Sequence, residues 1–358
     1  MRIAFFIGSM SRGGAERVIS ILANEYVSKG WDVDILTLLS NKVEYELHPK
    51  IKVISLVGTS ENYLKSVLPW LVRIRKYILK YTPDRVVSFV GRINALVLTA
   101  TIGLKIPIIV SERNDPKHDG RGKAMLWYCN KIYRRASSIV FQNKYEQSCF
   151  DIELQYKSFI VPNPVHVPAI MHCRNNEIIV ATAGRLNPQK NHYMLIDAME
   201  IVHKTHPAVK CRIYGEGNLR ESLQKHINDK ALANIVTLEG NRSDIHEKLA
   251  ECRIFVLTSE FEGVSNALIE AMMLGLPCIS TDYPGSNEII TSDVNGKLVK
   301  RHDHIELANT INRWIEEDNS LLSQIRNQAQ KDAEKYKKEN VLSLWHNVID
   351  GLQNNQLN

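Results

Sequence analysis

Pro162-Asn163-Pro164-Val165-His166-Val167-Pro168 leads into a polar stretch ending at Glu177, and Ile178-Ile179-Val180-Ala181-Thr182-Ala183 follows. Three prolines in seven residues cannot continue a helix or an inner strand, whereas the apolar run after them reads as a buried strand. The chain therefore ends one pattern here and starts it again. Before the break, strands are expected at Ile3–Ile7, Val33–Leu38, Lys52–Leu56, Arg85–Phe89, Pro107–Val110, Ser138–Phe141 and Phe159–Val161. Helices fit 14–29, 69–81, 92–102, 121–135 and 144–151 between them. After it come strands at 178–183, 209–214, 235–238, 254–257, 278–280 and 297–299. Helices there fit 191–204, 218–230, 243–250, 266–275, 303–318 and 320–335, with a last one at 338–351. Strands alternating with helices imply parallel sheets covered on both faces. The expected fold class is thus α/β, with two doubly wound Rossmann-like domains facing across a cleft. The expected domains are 1–164, a linker over 165–176, a second domain over 177–336, and a C-terminal helix over 337–358 that packs back toward the first.

Composition agrees with two ordinary globular domains, since the 358 residues are 44% hydrophobic and 23% charged. No apolar run reaches the ~20 residues of a membrane span, because Arg92 and Lys105 interrupt the most hydrophobic stretch. Met1-Arg2-Ile3-Ala4-Phe5-Phe6-Ile7-Gly8 reads as a first strand, too soon broken to be a signal peptide. The six cysteines are dispersed without a C-x-x-C pair, which argues for reduced thiols and against a disulfide framework or a zinc site. Charge is uneven. Residues 1–165 carry 24 Lys and Arg against 14 Asp and Glu, a net of +10, and the remainder 21 against 25, a net of −4. The first half is therefore expected to meet something anionic.

Two loops carry the chemistry. Gly184-Arg185-Leu186-Asn187-Pro188-Gln189-Lys190-Asn191 follows the first strand of the second domain. Arg185 and Lys190 there can supply a planar fork and a point charge to a diphosphate, although alone they equally fit solvated loop charges. Phe261-Glu262-Gly263-Val264-Ser265-Asn266-Ala267-Leu268-Ile269-Glu270 joins a strand to a helix that starts at Ser265 or Asn266, either a good N-cap. A helix N-terminus attracts anions, while Glu262 and Glu270 accept from hydroxyls. The combination suits a ligand with both phosphates and hydroxyls, such as a nucleotide sugar, although alone an acidic first turn is ordinary helix capping.

Arg-x4-Lys in the first loop and Glu-x7-Glu in the second resemble the retaining glycosyltransferases of family 4, which have the GT-B fold. Gly13-Gly14-Ala15-Glu16-Arg17, Tyr214-Gly215-Glu216-Gly217, Leu238-Glu239-Gly240 and Tyr283-Pro284-Gly285-Ser286-Asn287-Glu288-Ile289-Ile290 support the resemblance over essentially the whole chain. It is strongest to bacterial enzymes that extend undecaprenyl-diphosphate-linked saccharides, such as the N-acetylgalactosaminyltransferases of protein N-glycosylation. The resemblance implies that Arg185 and Lys190, with Gly184, hold the donor diphosphate and neutralise the leaving group. It implies that Glu270 accepts from the ribose, and that Glu262 with Gly263, Val264, Ser265 and Asn266 binds the donor sugar. Gly13 and Gly14 would form the loop that closes over the donor, and the base would lie near Gly215–Gly217 and Gly240, Asn241 and Arg242.

One departure stands out. Many members carry His two residues after the Ser of their Ser-Glu-x motif, and here Ser111-Glu112-Arg113-Asn114-Asp115 places Arg113 there. Glu112 and Arg113 are candidate contacts to acceptor or donor. Arg113 either meets a phosphate or pairs with Glu112 or Asp115.

No dinucleotide fingerprint is present, and Asp32-Val33-Asp34 opens a strand, where it reads as a strand-edge pair and not a metal motif. No metal and no cofactor are expected, the UDP-sugar being the donor substrate. On a helical wheel of 63–80, Leu64, Val67, Leu68, Leu71, Ile74 and Ile78 share one arc. Lys65, Arg73, Lys76 and Lys80 take the opposite arc, Trp70 and Tyr77 lie at the border, and Pro69 fits a first turn better than a middle. This is either an outer helix with a basic face or a seat on anionic lipid.

The reading is a hexosyltransferase moving an N-acetylhexosamine or hexose from a UDP-sugar to a polyprenyl-diphosphate-linked saccharide. It would work in bacterial surface-polysaccharide or glycoprotein-glycan assembly, in the cytoplasm and peripheral on the inner face of the cell membrane. With no well-placed second carboxylate in sight, retention would follow from front-face departure of the diphosphate. The alternative is a non-catalytic nucleotide-sugar-binding subunit. Nucleic acid is not an expected partner, since no helix-turn-helix, zinc or RNP-like signature occurs.

Overall fold

In the computed structural model of the protein, the described residues are 1–11, 13–57, 63–168, 177–317 and 319–351. The chain divides into two units, Met1–Pro164 together with the segment from Glu339, and Val165–Lys338. Of the linker expected over 165–176, residues 169–176 lie outside the described set; Val165 bridges to Lys337 within the second unit.

The first unit contains β1 (Arg2–Ile7), β2 (Asp32–Thr37), β3 (Lys52–Ser55), β4 (Arg85–Phe89), β5 (Ile108–Ser111), β6 (Ser138–Phe141) and β7 (Ser158–Ile160). They form one sheet in the order β3-β2-β1-β4-β5-β6-β7, all parallel. The second unit has β8 (Ile179–Ala183), β9 (Lys210–Tyr214), β10 (Val236–Gly240), β11 (Ile254–Leu257), β12 (Cys278–Thr281) and β13 (Lys297–Val299). Their order is β10-β9-β8-β11-β12-β13, again parallel. In each sheet the first strand pairs with the second on one side and with the fourth on the other. That reversal opens a crevice at the carboxyl edge between them, where doubly wound sheets bind ligands.

Both faces of each sheet are covered over its inner strands, which are therefore mostly apolar, whereas the edge strands β3 and β7 are exposed or half-buried. In the first unit, helices α1 (Gly14–Ser28) and Lys338–Asp350 cover one face, with Val18, Leu22, Tyr26, Trp345 and Ile349 in the core. Helices α2 (Tyr63–Tyr81), α3 (Gly91–Ala100) and α4 (Gly122–Ile132) lie side by side on the other. The C-terminal helix is tied down at its end. Arg85 Nε donates to the Ile349 carbonyl at 3.2 Å and the Tyr26 hydroxyl to Asp350 at 3.2 Å.

Helix α2 departs from expectation in three ways. It begins at Tyr63, so Pro69 sits inside it, although a proline there forfeits the bond to the carbonyl four residues back. Burial of Trp70, Ile74, Tyr77 and Ile78 against the sheet compensates for that loss. Trp70 and Tyr77, placed at the border by the wheel, are therefore core residues, and Leu68, placed in the buried arc, is 70% exposed. Arg73 is not an outward cation, because its guanidinium donates to the Leu56 and Val57 carbonyls, both at 2.9 Å. The side chains of Leu64 and Lys65 lie outside the described residues. Elsewhere, the helix expected over 144–151 is split. Asn143 caps Lys144–Ser148, and Asp151, whose amide is taken by Asn130 at 2.7 Å, starts a second helix at Ile152–Tyr156. Asp32 faces Arg2 at 3.5 Å, and the buried Asp34 accepts from the Tyr77 hydroxyl at 2.5 Å.

Candidate functional site

The crevice of the second sheet lies between the loops after β8 and β11. The β8 loop opens with Gly184 and turns through Pro188–Lys190, where the Asn187 side chain accepts from the Lys190 amide. Asn191 follows in the left-handed region (φ 43°, ψ 49°), which asparagine tolerates better than most residues. It ends the turn and starts the helix His192–Thr205.

Hydrogen bonds lace this loop to the one after β11. Glu260 N donates to the Gln189 carbonyl at 2.8 Å, Gln189 Nε2 to the Phe261 carbonyl at 2.8 Å, and Thr258 Oγ1 to the Lys190 carbonyl at 2.9 Å. Asn191 Nδ2 donates to Glu260 Oε1 at 2.5 Å. The result is that Lys190 Nζ stands 2.7 Å from Glu262 Oε1, with the two side chains only 11% and 12% exposed. Ser259 Oγ donates to the same carboxylate oxygen at 2.5 Å. Two residues 72 apart in sequence are thus brought together as a largely desolvated pair. Arg185 is exposed on the same loop, and its carbonyl accepts from His192 Nε2 at 3.2 Å. Burial holds the His192 pKa down to about 4, so the imidazole is neutral at physiological pH.

Glycines let neighbouring backbones close in. A Cβ on Gly215 (φ 138°) would lie 2.0 Å from the Gly184 carbonyl oxygen, and one on Gly217 would lie 2.3 Å from that of Leu186. Gly285 stands likewise against the carbonyls of Gly263 and Glu262, at 2.1 and 2.7 Å. The helix Asn266–Met273 starts directly after this loop. Ser265 occupies its N-cap position, but contrary to expectation its side chain makes no capping bond, and its Oγ is buried without a hydrogen-bond partner. First-turn amides of a helix have no partner inside it, so an anion fits this end. Val264 is half-buried behind the loop.

Glu270 lies on the second turn of this helix, 3.5 Å from His246 Nε2 on the helix Ile245–Ala250. Of the β10 loop, Gly240 takes a positive φ of 74° and Asn241 is exposed. Arg242 is engaged by Asp244 through two bonds of 2.8 Å, which with the Asp244 charge raise its pKa.

Candidate residues of the first unit form separate arrangements. Gly13 is extended; the Tyr45 hydroxyl donates to its carbonyl at 2.7 Å and lies 3.1 Å from its amide. Gly14 is the first residue of α1. Glu112 is buried and held by both terminal nitrogens of Arg121, at 2.9 and 2.6 Å, and by the Tyr133 hydroxyl. Burial alone would lower the Arg121 pKa, but Glu112 and Asp119 raise it well above its ordinary value.

Arg113 pairs with neither Glu112 nor Asp115, which corrects that expectation. It points into the core, donating to Ser111 Oγ at 2.8 Å, the Val161 carbonyl at 3.0 Å and Asn163 Oδ1 at 3.1 Å. Its guanidinium carbon lies 5.2 Å from the Trp345 ring centroid and 5.6 Å from that of Phe89. Burial lowers its pKa to about 9. Asp115 instead binds His118 at 2.7 Å.

Sequence reasoning missed Ser259, Glu260, His246 and Tyr45. Ser259 stands three residues before Glu262, a spacing from which a loop side chain can reach that carboxylate; the other three have no local signal.

Both units match described protein families. Residues 12–167 match the family described as Glycosyltransferase Family 4, and residues 171–332 match Glycosyl transferases group 1. The chain is 26% identical over 368 residues to an α-1,4-N-acetyl-D-galactosaminyltransferase of Campylobacter jejuni, across 99% of both chains. That protein is named for a diNAcBac-diphospho-undecaprenol-linked substrate. A second Campylobacter jejuni relative, a 4-α-N-acetylgalactosaminyltransferase, is 26% identical over 95% of this chain and 97% of its own. Among solved structures, the Anabaena protein HepE in complex with UDP superposes with a TM-score of 0.80 at 21% identity, over 99% of this chain and 100% of that one.

The buried ion pair of the first unit yields a stability prediction. Arg121→Met leaves Glu112 buried without its cation and should cost roughly 3–5 kcal/mol. Urea denaturation of wild type and variant measures it, and an unchanged midpoint would contradict the pairing.

Proposed function

This chain belongs to the two-domain GT-B glycosyltransferases, and from that premise we propose that it transfers a sugar from a UDP-sugar to a polyprenyl-diphosphate-linked saccharide with retention at the anomeric carbon. The observation that carries the proposal is the Lys190–Glu262 pair at the crevice of the second sheet, beside the start of the helix Asn266–Met273. Lys190 and Arg185 supply positive charge where the diphosphate departs, and the helix end adds its dipole. Glu262 accepts from hydroxyls of the donor sugar, and Glu270 from the ribose. The full-length likeness to transferases named for undecaprenol-linked glycans supports the acceptor class. The sugar itself is an N-acetylhexosamine or a hexose.

Retention is assigned to departure and attack on one face. Glu262 is occupied by Lys190 and Ser259, so it is poorly disposed to attack the anomeric carbon. The bond from that carbon to the diphosphate oxygen breaks, the acceptor oxygen forms its bond on the same side, and the leaving diphosphate takes the acceptor proton. Nothing in the site favours a donor-binding subunit that does not transfer.

The acceptor's lipid places the reaction at a bilayer, and we assign the enzyme to the inner face of the cell membrane as a peripheral protein. No helix among the described residues is long and apolar enough to cross one. Helix α2 offers a surface contact instead. Lys76 and Lys80 are exposed there beside Leu68, Val72 and Leu79, which suits an anionic lipid surface.

Arg185→Ala or Lys190→Ala should lower turnover by roughly 10²–10³, the cost of removing one fixed donor to developing charge. Radiolabelled transfer to an undecaprenyl-diphosphate saccharide reads this, and near-normal turnover in either variant would reject the diphosphate assignment. The two cations and the helix end take the part a metal plays elsewhere, so transfer should persist in excess EDTA. Activity lost to chelator and restored by Mg²⁺ or Mn²⁺ would overturn that reading.

A further inference from the structure

Helix α4 carries a surface that the reaction does not use. Its inner side is anchored by Cys129 and Ile132, with Met125 and Leu126 partly buried against the same core. Its outer ridge is Lys123, Trp127 and Lys131, four residues apart and hence on one face. Trp127 is 63% exposed, an unusual setting for the largest apolar side chain. The other tryptophans differ. Trp70, Trp314 and Trp345 are buried, and Trp31 is half-buried against Tyr26. The helix contains no acidic residue, and Arg134 and Arg135 follow it. Arg134 is offset by Asp151 and Glu153, whereas the two lysines flank the indole on the exposed ridge.

The layer makes this ridge prominent. Helix α3 packs between α2 and α4 and is itself buried from Ile93 to Leu98. The outer ridges of α2 and α4 therefore stand on either side of a sunken helix. Both pair basic residues with exposed apolar ones, Lys76 and Lys80 with Leu79 on α2, and Lys123 and Lys131 with Trp127 on α4.

We propose that the α4 ridge is a second seat on the anionic bilayer, with the Trp127 ring entering the headgroup region between Lys123 and Lys131. An indole favours the lipid–water boundary because its body is apolar and its N–H is polar, and each lysine near an anionic surface adds attraction. A protein partner would also take an exposed tryptophan. The lysines on both sides, without a carboxylate on the helix, favour lipid. The proposal rests on the membrane reading above and adds a surface to it.

Intrinsic fluorescence of the full chain tests it, using vesicles of phosphatidylcholine with and without phosphatidylglycerol whose acyl chains carry bromine as a quencher. Quenching is expected only with phosphatidylglycerol, and Trp127→Phe should abolish it while the protein still co-sediments with the vesicles. Lys123→Gln and Lys131→Gln should each weaken co-sedimentation by roughly fivefold, and high salt should weaken it further. Vesicle-bound wild type with unquenched fluorescence would overturn the proposal, as would quenching that survives Trp127→Phe. Wild type that fails to bind vesicles would overturn the membrane reading with it. Lys76→Glu with Lys80→Glu separates the two ridges. If that variant binds like wild type and Trp127 is still quenched, α2 is not a seat and α4 is.

Discussion

The pairing of β8 with β11, two strands that are not consecutive in the chain, is the constraint on which the site depends. It sets the loops after these strands side by side at the carboxyl edge of the sheet, where helix N-termini and strand ends meet. Everything polar in the crevice follows from that adjacency. Lys190 and Glu262 meet because backbone and side-chain hydrogen bonds lace their loops together, and the ion pair with Glu262 holds the ammonium in place. Gly215, Gly217 and Gly285 add that neighbouring loops can press in without side chains. A cation held in place beforehand loses little entropy when a diphosphate arrives, and preorganised charge of this kind is what a departing anion needs.

The first unit repeats the strand order but puts different residues at its strand ends. Glu112 is locked by Arg121, and Arg113 is drawn inward between Phe89 and Trp345. Both are buried, Glu112 accepting from Arg121 and Tyr133, and Arg113 donating to Ser111, Asn163 and the Val161 carbonyl. Cations for outside partners sit on the ridges of α2 and α4 instead. The positive balance of residues 1–165 is therefore divided, part of it spent inside the fold and part displayed.

Much of this was legible in sequence. Strands buried on both faces are mostly apolar, so Arg85–Phe89, Ser138–Phe141 and Ile254–Leu257 fall where their side chains place them. The site loops were legible for the same reason, since Gly184 directly follows one run and Gly263 lies in the loop after the other. What escaped depends on three-dimensional neighbours. A wheel gives α2 a periodicity but not its rotation against the sheet, and the aromatic rings of Trp70 and Tyr77 decided that rotation. Pro69 opposes a helix locally, and tertiary burial overrides it. His246 is 24 residues from Glu270 in sequence, on another helix, and no spacing rule connects them. For Arg113 the sequence offers a phosphate contact or a pair with Glu112 or Asp115, and nothing local signals a buried guanidinium between Phe89 and Trp345, which lie far apart in the chain.

The central claim is that the second sheet's crevice binds the nucleotide of the donor through Glu270 while Glu262 faces its sugar. Calorimetric titration of UDP into wild type, Glu270→Gln and Glu262→Gln tests this most directly. The account predicts that UDP binds wild type and Glu262→Gln alike, and that Glu270→Gln weakens it about tenfold, as loss of a hydrogen bond to a charged group does. Absence of UDP binding to the wild type, or equal loss in both variants, would contradict it.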